Sequence, residues 1–412
     1  MLAVKSDSYK AERRGAMGNR LAAALACLLL LAGCLPTQAQ PAASTPAAPK
    51  APPADFYYAR SRLDAREQAA YDQLSQALEA WQVGELALEA PLTGPQAAKV
   101  WEAVLRDRPE FYWAGAGEQL QAREQVARLS IALREDLELS AAQSRQEEID
   151  RAADRLLEGI EGPPVEVACQ VHDALLEWIV YQESLHQADA GTLYGGLVEG
   201  VGVCDAYSRS YQYLMQKMGV PCYTVVGQNR IRGASHSWNA VRLADGWYYV
   251  DTTWDDLPPQ RGELFHDYLL LTLEEMEQEH LEAPPAYGGG PPVDSGRYNY
   301  YRYYGYSVDL AGEGDWLAGM AEAFTRQLQL RQDRLTQRPE PVLLEIKLFG
   351  DADQFSRCQE QFEEALFPLL EQIARQLKAQ DLPISIETTG QVFYSCNPVT
   401  RVLTLRPRAS LN

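Results

Sequence analysis

The stretch GVGVCDAYSRSYQYLMQKMGVPCY, residues 200–223, decides how the rest of the chain is read. Glycines at 200 and 202 permit a tight backbone turn, and a helix is expected over 205–218, closed by Gly219 and Pro221. Cys204 therefore opens the helix instead of sitting within it. A helix N-terminus carries partial positive charge and free backbone N–H groups, which favour a thiolate and can hold an oxyanion. A nucleophile uses that placement; a packed cysteine does not need it.

After residue 221 the apolar period switches to two, and CYTVVGQ, HSWNAVRL and GWYYVDTTW read as strands, the last pair joined by a hairpin at ADG. A thiolate nucleophile needs a base, and the base needs an orienting group. Histidines occur at 172, 186, 236, 266 and 280. His236 heads one strand and Asp251 ends the next. Counting around a two-residue Asp245–Gly246 turn sets Asp251 opposite Ala240, on the same sheet face as His236. The offset of four residues is about 13 Å along an ideal strand, so contact requires a bulge or another register.

These residues carry a resemblance. YGGLVEGVGVCDAYSRSYQYLMQKMGVPCYTVVG followed by HSWNAVRLADGWYYVDTTWDD resembles the core of the transglutaminase-like superfamily, in particular bacterial lipoproteins bearing that domain. The similarity extends weakly over about residues 165–310 and does not reach the C-terminal part. It implies an α+β, papain-like core in which a helix bearing the nucleophile packs on an antiparallel sheet. It also implies a Cys-His-Asp triad: Cys204 as nucleophile, His236 as base and Asp251 as orienter. Tyr194, Trp238 and Trp254 are candidates for the substrate cleft, with packing in the core as the alternative. Asp205, beside the nucleophile, is taken as neutral. A papain-type oxyanion glutamine has no counterpart in Val198–Val203, so the second oxyanion donor is unassigned. The remaining histidines read as structural.

Upstream, helices are expected at 60–82, 96–106, 140–159 and 165–182, with a strand in QVARLSIALRED and a glycine-rich loop at 191–203. Downstream, TLEEMEQEH reads as a helix, and AYGGGPPVDSGRYNYYRYYGYSV as a long ordered loop or binding lip whose tyrosines pack on a core. A helix over 311–334 leads to strand, helix and three strands from 341 onward. At the N-terminus, basic residues precede the apolar run LAAALACLLLLAG. A membrane span needs about 20 apolar residues, so this run suits a signal peptide. LAGC, ending at Cys34, resembles a bacterial lipobox and implies lipidation of Cys34. Residues 35–54 are a Pro/Ala-rich tether.

The expected organisation is thus a signal peptide over 1–34, the tether over 35–54 and an N-terminal helix-rich region with a strand over 55–160. The transglutaminase-like core follows over 161–310, a helical connector over 311–340 and a small C-terminal α/β module over 341–412. A formal net charge of −20 argues against nucleic acid as a partner. Five body cysteines, an odd number in an exported chain, leave room for one free thiol. With no CxxC, Cys/His cluster, nucleotide motif or EF-hand-like loop, neither cofactor nor metal is expected. The resemblance implies a thiol enzyme anchored extracytoplasmically to the bacterial cell membrane, acting on amide bonds of protein or peptide substrates. It would be a peptidase or amide hydrolase, or a transglutaminase-type acyl transferase. A non-catalytic binding or scaffold protein and a cell-wall peptide hydrolase stay open beside it.

Overall fold

The computed structural model describes residues 56–135, 137–182, 189–256, 263–285, 287–292, 295–312 and 315–412. The expectations for the signal peptide, Cys34, the tether and His186 lie outside these residues.

The N-terminal part contains α1 (Tyr58–Ser61), α2 (Ala65–Glu79), β1 (Gly84–Leu92), α3 (Gly94–Asp107), β2 (Ala114–Ala116), β3 (Val126–Leu133) and α4 (Leu139–Leu156). α2 starts at a reciprocal cap between Asp64 and Glu67, and α3 at one between Thr93 and Gln96 with Pro95 in its first turn. The strands form an antiparallel sheet in the order β1-β3-β2, where one strand was expected. β1 is masked in the sequence by its glutamates, alanines and Pro91. As an edge strand it tolerates the proline, and its leucines 86, 88 and 92 keep the strand period.

The central part holds α5 (Pro164–Trp178), β4 (Val180–Tyr181), a π-helical turn (Gly195–Glu199), β5 (Val201–Gly202), α6 (Cys204–Lys217), β6 (Cys222–Asn229), β7 (Ser235–Leu243), β8 (Gly246–Val250), α7 (Thr252–Asp255), β9 (Leu269–Leu271), α8 (Leu273–Met276) and β10 (His280–Glu282). The antiparallel sheet runs β10-β6-β7-β8-β9 and is covered on both faces. Tyr223, Val225, Trp238, Ala240 and Tyr249 pack towards the N-terminal helices. Cys222, Val241, Tyr248 and Val250 pack towards α4, α5 and α6. α6 is buried on nearly every side, as an internal helix must be when polar positions such as Ser210 and Gln212 are as buried as Tyr211 and Leu214.

Four expectations are corrected here. The glycine-rich loop contains the π-helical turn and β5, which pairs parallel with β4. The strand expected through Trp254 ends at Val250, because Asp251 caps α7 with its side chain. TLEEMEQEH yields only the single-turn α8 before His280 opens β10. The hairpin turns on Ala244 and Asp245, with Leu243 paired to Gly246, so the strand register differs from the expected one by two residues.

The C-terminal part comprises α9 (Tyr300–Tyr304), β11 (Ser307–Asp309), α10 (Trp316–Leu330), β12 (Glu340–Pro341), β13 (Leu344–Phe349), α11 (Ala352–Ala379), β14 (Ile384–Ile386), β15 (Phe393–Cys396), β16 (Val402–Arg406) and β17 (Arg408–Leu411). The tyrosine-rich segment is not a loop throughout: it forms α9 and buries Tyr300, Tyr301 and Tyr306 in the central core. The last expected strand divides at Pro407. β16 belongs to the sheet β11-β13-β16-β15 and β17 to the sheet β12-β17-β14. This is a mixed α+β fold in which the helix that opens at Cys204 packs on an antiparallel sheet.

Candidate active site

Two glycines place Cys204. Gly200 has φ +66°, the left-handed conformation in which a side chain is strained. At Gly202 a Cβ would lie 2.3 Å from the Cβ of Ala206 and 2.9 Å from the Ala190 carbonyl oxygen, so only glycine fits beneath the first turn of α6. Cys204 is the first helical residue and is partly exposed, and no side chain caps this end of the helix. The first-turn N–H groups thus carry the helix's partial positive charge beside the sulfur.

His236 lies at the other side of the sulfur. Its Nε2 donates to Asp251 Oδ2 at 2.6 Å, and the Cys204 sulfur is near enough to the ring to raise its affinity for a proton. The corrected register explains the approach. Continuing the β7–β8 pairing puts Asp251 opposite Trp238, two residues from His236, or about 7 Å along a strand. A carboxylate and an imidazole close that gap. The structure therefore brings Cys204, His236 and Asp251 together.

Asp251 is fully buried, and both its oxygens are occupied. Oδ1 accepts from the backbone N–H of Thr253 at 3.0 Å and of Trp254 at 3.2 Å. Oδ2 accepts from His236 and also from His280 Nε2 at 2.8 Å, while His280 Nδ1 faces the Met276 carbonyl at 3.2 Å. Burial by itself pushes the Asp251 carboxyl up, but the two histidines outweigh it and hold the acid well below the ordinary range. Burial works against charge on His236 too; the Asp251 carboxylate, with Cys204 assisting, overcomes it and raises the imidazole to about 10. At neutral pH, His236 is an imidazolium held between a carboxylate and a sulfur.

The predicted cleft residues divide. Trp254 stacks on His236 with centroids 5.4 Å apart and meets His280 at 4.3 Å. Trp238 stacks on His236 at 6.0 Å and meets His280 edge-on at 4.8 Å, but it is buried, so its ring walls the histidines. Tyr194 is engaged with α4 instead: its hydroxyl donates to Glu148 at 3.0 Å and Arg145 lies over its ring.

Two further contributions were not read from the sequence. His280, 29 positions beyond Asp251, shares its carboxylate. Asp205, taken as neutral, accepts from Ser237 Oγ at 2.7 Å, which links the neighbour of Cys204 to the neighbour of His236. That polar pair flanking two candidate residues is the signal that could have revealed the link; nothing in the local sequence marks His280. His236, Asp251 and His280 present ligand atoms within 4.8 Å of one another, as do His172, Asp173 and His266; all three of the first group are buried.

Among the described residues, Cys169, Cys204, Cys222, Cys358 and Cys396 are all unpaired thiols. Burial pushes Cys169 and Cys222 well up, Cys358 to about 11 and Cys396 to about 12.

Residues 150–252 match the family model of the transglutaminase-like superfamily. The curated proteins include kyphoscoliosis peptidase of Homo sapiens and of Mus musculus, each 30% identical over 84 residues, 17% of this chain and 13% of the relative. The match thus spans only a small part of those proteins' length. A crystal structure of a TGase aligns with a TM-score of 0.27 and 11% identity, covering 46% of this chain and 49% of that one. On the family match, this chain carries a transglutaminase-like domain over residues 150–252.

Proposed function

We propose that the protein is a thiol enzyme that cleaves amide bonds. The observation that carries this reading is the buried Asp251–His236 contact at 2.6 Å, with the partly exposed Cys204 near enough to the same imidazole to raise its proton affinity. In the proposed reaction the Cys204 sulfur attacks the amide carbonyl, and the N-terminal N–H groups of α6 face the developing oxyanion. His236 gives its proton to the departing amine, leaving a thioester on Cys204. Water then attacks the thioester as His236 takes its proton, and the acid product leaves with the thiol restored. Asp251 orients the ring and stabilises its charge. An amine in place of water would give acyl transfer through the same groups. The name of the curated relatives, a peptidase, supports hydrolysis.

We further propose attachment to the outer face of the cell membrane through lipid on Cys34, supported by the LAGC sequence behind a short apolar run. Among the described residues no helix is long and apolar enough to cross a membrane. Metabolic labelling with a fatty acid checks this: label on the wild-type chain that is absent from Cys34→Ala is expected.

The enzymatic reading is tested with a thiol-directed probe and a peptide library containing an amine acceptor. Labelling at Cys204 alone is expected, because burial suppresses the other four thiols. His236→Ala should slow it about a hundredfold or more, and peptide products should end in a free carboxylate. Amine-linked products would replace hydrolysis by acyl transfer. An inert Cys204 in the folded chain, with no turnover, would replace catalysis by a binding role.

A further inference from the structure

A second cluster of histidines and carboxylates lies apart from Cys204, where α5 meets the segment before β9 and strand β13. His172 Nδ1 is 3.0 Å from Asp173 Oδ1, and His266 Nε2 is 3.1 Å from the same oxygen. On their far sides the rings are held by carboxylates: His172 Nε2 lies 3.0 Å from Asp255 Oδ2, and His266 Nδ1 lies 2.7 Å from Glu345 Oε2. Both rings are buried, as are Asp255 and Glu345.

A neutral imidazole has one N–H. With an ion bound, each ring would donate outward, to Asp255 and to Glu345, and turn the lone pair of its inner nitrogen to the metal. These two nitrogens and the Asp173 oxygen all lie within 4.8 Å of one another. The outer carboxylates are the partners that fix the tautomer and orientation of metal-bound histidines. Bonds of 2.0–2.2 Å in a tetrahedral site separate neighbouring ligand atoms by about 3.3 Å, near the 3.0 and 3.1 Å between Asp173 Oδ1 and the two ring nitrogens. Asp173 is also the open side of the cluster: its side chain is 39% exposed. With His266 it borders a cavity of about 430 Å³, so a fourth position is free for water or a ligand.

We propose that His172 Nδ1, Asp173 Oδ1 and His266 Nε2 bind one divalent transition-metal ion of the zinc class, at a site distinct from Cys204. Imidazole and carboxylate together suit such an ion, and three protein ligands with one open position match zinc sites that keep an exchangeable ligand. The ligands stand at 172–173 and 266, too far apart in sequence for a spacing motif to announce them. The ion would also join three parts of the fold, since Asp255 ends α7, the turn capped by Asp251, and Glu345 belongs to β13.

The test uses the full chain, stripped with a chelator, dialysed against Zn²⁺ and measured for bound metal. About one zinc per chain is expected in wild type and in His236→Ala, the latter setting aside the Asp251 cluster. Asp173→Asn and His266→Asn, checked for folding by circular dichroism, should bind none. Glu345→Gln keeps the shape of the outer partner and should weaken binding about ten- to a hundredfold. If the ligand variants do not fold, Glu345→Gln and the Co²⁺ spectrum of the wild type decide; the latter should show ligand-field bands without a sulfur-to-metal band. No stoichiometric uptake by wild type would overturn the proposal. So would uptake lost in His236→Ala, uptake retained in folded Asp173→Asn, unchanged affinity in Glu345→Gln, or a sulfur-to-cobalt band.

Discussion

Asp251 caps α7 with one oxygen and holds two histidines with the other, so a single residue couples a local turn to the chemistry proposed for Cys204. The consequence for pH follows from the raised His236. A group whose folded pKa lies above its unfolded value of about 6.5 contributes its stabilisation fully below that value, and loses it as pH rises through about 10. Catalysis that needs the imidazolium to protonate a leaving amine should therefore have its alkaline limb near pH 10. Asp251→Asn keeps an oxygen for the cap and removes the charge that raises His236. Its alkaline limb should move down towards about 6.5, with a loss of about a hundredfold or more in kcat. The pH dependence of kcat with a small amide substrate checks this; an unmoved limb would show that Asp251 does not set the proton affinity of His236. Cys204, His236 and Asp251 were legible because they stand beside glycines, aromatics and strand ends that mark a pattern. His280 was not, because its role depends on β10 joining β6 at the far edge of the sheet, a pairing that no local feature encodes.

Elements, more than single residues, set the distances in the site. The hairpin was visible as an ADG turn, yet moving the two turn residues by one position changes every cross-strand partner by two and converts an offset of four residues into two. Sequence counting thus recovered the shared face and misplaced the pairing, since parity survives a shift of two and distance does not. Helix α6 and strand β7 are fastened by Ser237 to Asp205 at 2.7 Å and by Asn239 Nδ2 to the Ser208 carbonyl at 2.9 Å. Ser237→Ala removes a bond to a carboxylate and should cost about 1.5–3 kcal/mol. It should also slow alkylation of Cys204 several-fold while the chain stays folded. Probe labelling at a temperature well below unfolding, beside a denaturation curve, separates the two effects; a stability loss with an unchanged labelling rate would make Ser237 purely structural. Gly202→Ala acts on the same helix from beneath. Its Cβ has no room beside Ala206, so a loss of about 1–3 kcal/mol and slower labelling are expected. Gly115→Ala, whose Cβ meets nothing within 4 Å, should change little by either measure.

At the scale of the whole molecule, the C-terminal part is fastened to the central sheet by polar groups that are buried or half-buried. Asn397 and Thr400 donate to Asp267 at 2.8 Å each, Arg406 pairs with Glu263 at 3.1 Å, and Val402 of β16 packs within the central core. Read as sequence, this part offered only an order of strands and one helix, because its attachments join residues more than a hundred positions apart. Such an interface should unfold together with the sheet it covers. Lys347 gives the sharpest test: its side chain is 3% exposed, lies on β13, and meets Glu275 of α8 at 2.7 Å. Burial raises the Glu275 carboxyl, but Lys347 outweighs it and holds the acid below its ordinary range. Glu275 keeps 27% of its side chain exposed, so the loss in Lys347→Ala comes from the deleted attraction and the space left by the buried stem, about 2–5 kcal/mol. Lys347→Met with Glu275→Gln, which discards both charges and keeps the volume, should recover most of that loss. In urea, far-ultraviolet circular dichroism and tryptophan fluorescence should give coincident transitions for the wild type, with both midpoints lowered together in Lys347→Ala. Two separated transitions in the wild type would mean that the C-terminal part folds independently of the sheet that carries His236, and a double variant as unstable as Lys347→Ala would mean that the lost contact is not what lowers the midpoint.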